Sequence, residues 1–275
     1  MVEYWQAFLL AIIQGITEWL PVSSSAHLAL AQQLLGISPP VFFDIMLHIG
    51  TLIAVIIYFR NDLFTLVRGF FTFNPQNEQF RYCIMIVVAS IPTAIIGFAF
   101  HDFFGAMFSD MFAIAIALTI TGIAIYSSSV FCTQHKEYKT QDPKHKTADI
   151  RQLSAPIAFL IGVAQGIAVA PGISRSGFTI SAGLFAGLDK EVAARFSFIL
   201  SIQALIGAAI FEFRVLGSGA WEAVAGPALF GTAVAAIVGY FSISFLLDII
   251  KKGSFAVFAY YCWLVALFIL LFSLL

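Results

Sequence analysis

The sequence predicts an all-α polytopic membrane protein: six transmembrane helices plus two re-entrant helix hairpins in two inverted-topology repeats. Three observations carry that prediction. Of the 275 residues 60% are hydrophobic and only 11% charged, whereas soluble domains carry about 25% charged residues. Two segments about 150 residues apart share one pattern, an apolar stretch ending Gln-Gly-Ile that breaks at a proline and turns into a serine cluster. The basic residues, finally, sort onto one side of the six-span topology.

A spanning helix needs about 20 apolar residues. In chain order the spans are expected at about 41–60, 82–100, 111–131, 195–213, 226–248 and 254–274. Two shorter apolar stretches, 4–20 and 155–171, each reach a proline and precede a second short stretch, 24–35 and 176–187. Each pair reads as a hairpin that enters the membrane and returns to the same side, a broken backbone that is tolerated where it lines an enclosed cavity. With that topology Arg60, Arg68, Arg81, Lys136, Lys139, Lys144, Lys146, Arg151, Lys190, Arg195, Lys251 and Lys252 share one side, which is 12 of the 14 basic residues. Arg214 lies on the other side and Arg175 sits in the second break. The positive-inside rule makes the basic side cytoplasmic, so both termini face outward. Glu3 and the lack of a basic n-region argue against a cleaved signal peptide over 4–20.

The chain is expected to be one integral membrane domain, 1–275, with repeat one at about 1–131, a cytoplasmic linker at 132–153 and repeat two at about 154–275. A net charge of -1 gives no field for nucleic acid. Cys83, Cys132 and Cys262 have neither disulfide nor zinc-ligand spacing. No GxxxxGK[ST], GxSxG or HExxH occurs, which excludes P-loop ATP hydrolysis and disfavours serine lipases and zincins.

The breaks hold the chemistry. The first reads Gln14-Gly15-Ile16-Thr17-Glu18-Trp19-Leu20-Pro21-Val22-Ser23-Ser24-Ser25-Ala26-His27, and the second Pro171-Gly172-Ile173-Ser174-Arg175-Ser176-Gly177. Ionisable groups at membrane depth are costly, so Glu18 and Arg175 mark a function. Serines behind a proline are good N-caps, and two helix N-termini converging in the membrane make an anion site. Gln14 and Glu18 share one helical face; Ser24 and His27 share another. A carboxylate, a hydroxyl, an imidazole and a guanidinium suffice for a base, a nucleophile, a proton carrier and a phosphate clamp. Elsewhere, His48 reads as a packing residue, with a position facing the cavity as its alternative, Asp44 as a solvated helix end, His101 and Asp102 as a short outer loop, and His135 and His145 as linker.

These two motifs closely resemble the signature motifs of the undecaprenyl-diphosphate phosphatase family, of the bacitracin-resistance type, and the similarity runs through essentially the whole chain. The resemblance implies hydrolysis of a C55 polyprenyl diphosphate carrier to its monophosphate, at the outer face of a bacterial plasma membrane. It further implies that Glu18, Ser24, His27 and Arg175 are the catalytic set. Gln14, Ser23, Ser25, Ser174 and Ser176 would contact the substrate. A divalent cation, Mg²⁺ or Ca²⁺, is expected to help, with Glu18 as its ligand; Gln14 stands where the family often has glutamate, which argues against two carboxylates on that metal. The expected partners are the polyprenyl diphosphate lipid, the bilayer and a second copy in a homodimer. Either Ser24 attacks phosphorus or water does so directly. The competing function is a transporter of the polyprenyl phosphate built on the same inverted repeats.

Overall fold

Each long apolar stretch of the sequence forms a helix. In the computed structural model the described residues are 2–139, 152–213, 220–252 and 255–273, without the side chains of 133–139, 212–213, 220–223 and 252. Among them are twelve helices and no strand. The helices are α1 (Tyr4–Thr17), α2 (Ser24–Leu34), α3 (Val41–Tyr58), α4 (Arg60–Phe70), α5 (Glu78–Ala99) and α6 (His101–Met107), then α7 (Met111–Lys139), α8 (Ala155–Ile167), α9 (Arg175–Phe185), α10 (Lys190–Phe213), α11 (Ala220–Lys252) and α12 (Val257–Phe272).

Five helices (α3, α5, α7, α10 and α11) are long and apolar enough to cross a membrane. The sixth expected span falls on α12, which is apolar but has 16 helical residues. Two connections expected as loops are helical. Residues 60–70 form α4, which sets Arg60, Asp62 and Arg68 among apolar residues at amphipathic spacing. His101 and Asp102 open the short helix α6. The first part of the expected linker continues α7 to Lys139. His145 and the rest of the linker to 151, like Arg214, lie outside the described residues, and the side chain of His135 is not described.

The two broken stretches fold alike. α1 and α8 stop before Pro21 and Pro171, which cannot donate to a helix ladder. Ser23 then caps α2, accepting from the Ala26 N–H, and Ser174 caps α9, accepting from the Gly177 N–H. One constant register carries Gln14 onto Gln165, Ser23 onto Ser174, and Gly36 onto Gly187, the last two both closing their helices at positive φ (63° and 84°). Packing follows the same register. α1 lies on α11 and α8 on α5, while α7 pairs with α12 and α3 with α10. Gly15 of α1 faces Val238 of α11, and Gly166 of α8 faces Ile96 of α5, each with no room for a side chain. At the end of the bundle expected to be cytoplasmic, Arg195 bridges Asp62 and Glu191, and Lys251 also reaches Glu191, tying α4, α10 and α11.

Each break contains one left-handed residue, Ser23 (φ 68°) in the first and Gly172 (φ 89°) in the second. A Cβ on Gly172 would meet the Ile114 carbonyl oxygen and the Ala117 methyl of α7. Gly172→Ala therefore combines backbone strain with a backbone clash. It is expected to cost about 1–3 kcal/mol from the backbone alone, read as a clear drop in melting temperature in detergent.

Candidate active site

Both breaks come to one place, and the contacts between them join residues far apart in sequence. Gly172 N–H donates to Ser25 Oγ at 3.1 Å, and Ser176 Oγ donates to the Leu20 carbonyl at 3.1 Å. So backbone of the second break meets side chain of the first, and the reverse. Glu18, just past α1, and Arg175, the first residue of α9, close the arrangement with an ion pair at 2.5 Å.

Glu18 is the hub. It is 7% exposed. Its Oε1 takes Arg175; its Oε2 accepts from Ser24 Oγ at 2.7 Å and from Gln14 Nε2 at 3.2 Å. A buried carboxylate needs such partners, since desolvation of a bare charge costs several kcal/mol. Ser24 and Arg175 hold equivalent positions, each the first residue of its capped helix. Their N-terminal turns add partial positive charge beside Glu18. The positive φ of Ser23 is the strained hinge between Pro21 and that first turn, and strain of this kind gathers at functional sites.

The ion pair does not exhaust Arg175. Its second terminal nitrogen, Nη1, is buried with no hydrogen-bond partner, while the guanidinium lies over the fully buried Trp19 ring at 5.4 Å. A buried, unpaired cationic N–H is expensive unless an anion completes it. The serine hydroxyls pair within each break: Ser23 Oγ and Ser25 Oγ lie 3.1 Å apart, Ser174 Oγ and Ser176 Oγ 3.3 Å.

His27, on the first turn of α2, has both ring nitrogens engaged. Nδ1 lies 2.8 Å from the Ser23 carbonyl and Nε2 lies 2.9 Å from the Tyr261 hydroxyl of α12. A carbonyl only accepts, so Nδ1 carries a proton and the neutral ring has its lone pair at Nε2.

All nine residues expected from the sequence thus lie in or beside the two breaks. The structure adds three to these. His48, read as packing, has Nε2 3.7 Å from Glu18 Oε2, with Nδ1 donating to the Asp44 carbonyl. Thr121 of α7 accepts from the Ser174 N–H and faces the Gly172 carbonyl, fixing the second break. Tyr261 reaches His27. Asp44 is half-buried and accepts from Gln32, so it is not a freely solvated helix end.

A divalent cation can be tested against these groups. Among the described residues no three His, Cys, Asp or Glu side chains cluster well enough to hold one alone. Gln14 Nε2 donates to Glu18, and its Oε1 is buried without a partner. One carboxylate and one amide oxygen fit a hard cation that is bound mainly through phosphate oxygens.

The sequence profile described as bacitracin resistance protein BacA matches residues 7–268. A protein of Halothermothrix orenii named undecaprenyl-diphosphatase is 41% identical over 271 residues, covering 98% of each chain. Proteins with the same name from Methanobrevibacter smithii (38%, covering 96% of this chain and 95% of the relative) and Alkaliphilus metalliredigens (38%, covering 98% of each) are similar along their length.

Proposed function

Since the chain belongs to the BacA bacitracin-resistance family, we propose that its two breaks form the active site of an undecaprenyl-diphosphatase. The protein is a multi-pass membrane hydrolase, and it recycles the cell-wall lipid carrier by converting undecaprenyl diphosphate to the monophosphate and inorganic phosphate. The observation that carries the site assignment is Glu18 itself, bonded at once to the Ser24 hydroxyl and to an arginine with a buried N–H to spare.

Ser24 Oγ attacks the terminal phosphorus while its proton passes to Glu18 Oε2, already 2.7 Å away. The bond from that phosphorus to the bridging oxygen breaks, and polyprenyl phosphate leaves. Arg175 Nη1 and the first turns of α2 and α9 bind the oxygens on which charge gathers. Water then attacks the phosphoserine, giving a proton to His27 Nε2, the acceptor nitrogen of the neutral ring, which passes it on to the departing phosphate. The P–Oγ bond breaks, Ser24 recovers its proton from Glu18, and phosphate departs. Ser23, Ser25, Ser174 and Ser176 offer hydroxyls to the phosphates. Mg²⁺ or Ca²⁺ would be held by Glu18, Gln14 Oε1 and the diphosphate, where it supplies charge neutralisation.

The constant register and the paired packing of α1 on α11 and α8 on α5 support two inverted repeats, 1–131 and 154–275, in one domain. In that architecture α1–α2 and α8–α9 are hairpins re-entering from opposite faces, and α12 completes six spans with both termini outside a bacterial plasma membrane. The function is tested by phosphate release from farnesyl or undecaprenyl diphosphate in detergent, with and without EDTA. Release that EDTA suppresses is expected. With no release under any divalent ion, hydrolysis is wrong and lipid transport through the same site takes its place.

A further inference from the structure

The mechanism leaves Tyr261 unused, yet it touches the imidazole to which the mechanism gives the water's proton. It stands on α12, at the far end of the chain, and its contact spans 234 residues of sequence. Two features show that the contact is built rather than incidental. The rings of Tyr261 and His27 are stacked, with centroids 5.6 Å apart and planes 4° from parallel. The next residue, Cys262, donates its thiol to the Pro21 carbonyl at 3.5 Å. Successive side chains of α12 thus grip both ends of the segment that carries Ser23, Ser24 and Ser25, one at the break and one at His27.

Resting on the phosphatase reading above, we propose that Tyr261 is the positioning residue for His27. The Ser23 carbonyl demands a proton on Nδ1, so in the neutral ring the phenol donates to Nε2. Tyr261 thereby fixes the orientation of a ring whose tautomer the Ser23 carbonyl sets, and stacking fixes its plane. This is the role a second partner commonly plays for a catalytic histidine. Tyr261 is 46% exposed, so its hydroxyl can swing aside when a water or phosphate oxygen takes its place at Nε2, without disturbing the packed core. Its chemistry requires the hydroxyl and not only the ring.

Tyr261→Phe keeps the stack and removes the hydrogen bond. Phosphate release from farnesyl diphosphate in detergent should show kcat lowered about tenfold, with KM within about twofold of wild type. In a His27→Ala background the same substitution should change kcat less than about twofold, because the residue it serves is gone. A kcat close to wild type for Tyr261→Phe, or an undiminished tenfold loss in the His27→Ala background, overturns the proposal. A second readout does not need turnover. Diethylpyrocarbonate should modify His27, identified by subtraction of the His27→Ala protein, several-fold faster in Tyr261→Phe than in wild type. Equal rates would show that the phenol does not hold Nε2. If wild type releases no phosphate, the phosphatase assignment fails, while the modification rates still decide the contact.

Discussion

Arg175→Lys should lower turnover about 100-fold, the scale set by removing one preorganised donor from a developing oxyanion. The charge is conserved, so a loss isolates geometry. Arginine here does two things with two nitrogens: Nη2 holds Glu18 Oε1, and Nη1 stays buried and free for phosphate. Lysine has a single nitrogen on a flexible stem and no planar fork. It can neutralise Glu18 or reach the phosphate, and cannot present two fixed donors. Its ring contact with Trp19 is lost as well. Steady-state kinetics in detergent should show the loss chiefly in kcat, with elution and melting behaviour near wild type. A variant retaining more than about a third of wild-type kcat would remove Arg175 Nη1 from the transition state.

Glu18→Gln should be more severe, about 10³-fold in kcat, within the range for loss of a general base. The amide keeps the shape and still offers an oxygen to Arg175, but it cannot take the Ser24 proton. With the terminal phosphorus labelled with ³²P, acid quench of wild type should trap label on Ser24 during the first turnover; the variant should trap none. Label on Ser24 at the wild-type rate in Glu18→Gln would assign the base elsewhere, with His48 the nearest alternative. An unlabelled wild type with ¹⁸O entering phosphate would instead favour direct attack by water. Removal of the charge also leaves Arg175 without its counter-ion, a cost of about 3–5 kcal/mol when a buried pair is broken. The melting temperature of this variant should therefore fall, unlike that of Arg175→Lys.

Much of the site could be read from the chain because its groups contradict their surroundings. A glutamate and an arginine inside apolar stretches have few explanations, and prolines followed by serines state where helices stop and restart. Both serine caps, Ser23 and Ser174, form as expected. Thr121 and Tyr261 escape, and His48 reads two ways, for the opposite reason. A threonine in an apolar helix usually bonds back to its own turn, as Thr121 also does to Ala117. A tyrosine near a helix end usually marks the membrane interface. His48 lies on a helix apolar on most sides, so periodicity does not tell which neighbour it faces. The long helices were legible by length alone. α4 was not, because its alternation of charged and apolar residues has too low a hydropathy to register as a span. α12 covers 257–272 of the stretch expected at 254–274, the two end positions of which lie outside the described residues.

The Glu18–Arg175 pair is separated by 157 positions in the chain. At a synthesis rate of about 5–20 residues per second, roughly 8–30 seconds pass between the emergence of the two partners. During that interval the first half holds an acidic group with no guanidinium to receive it, and the Ser25 hydroxyl and Leu20 carbonyl also wait for the second break. Completion of the site is thus governed by the late half: the first break gains its remaining partners only when the second lies beside it. A chain halted before Arg175 holds Glu18 with its Ser24 and Gln14 donors and without its counter-charge.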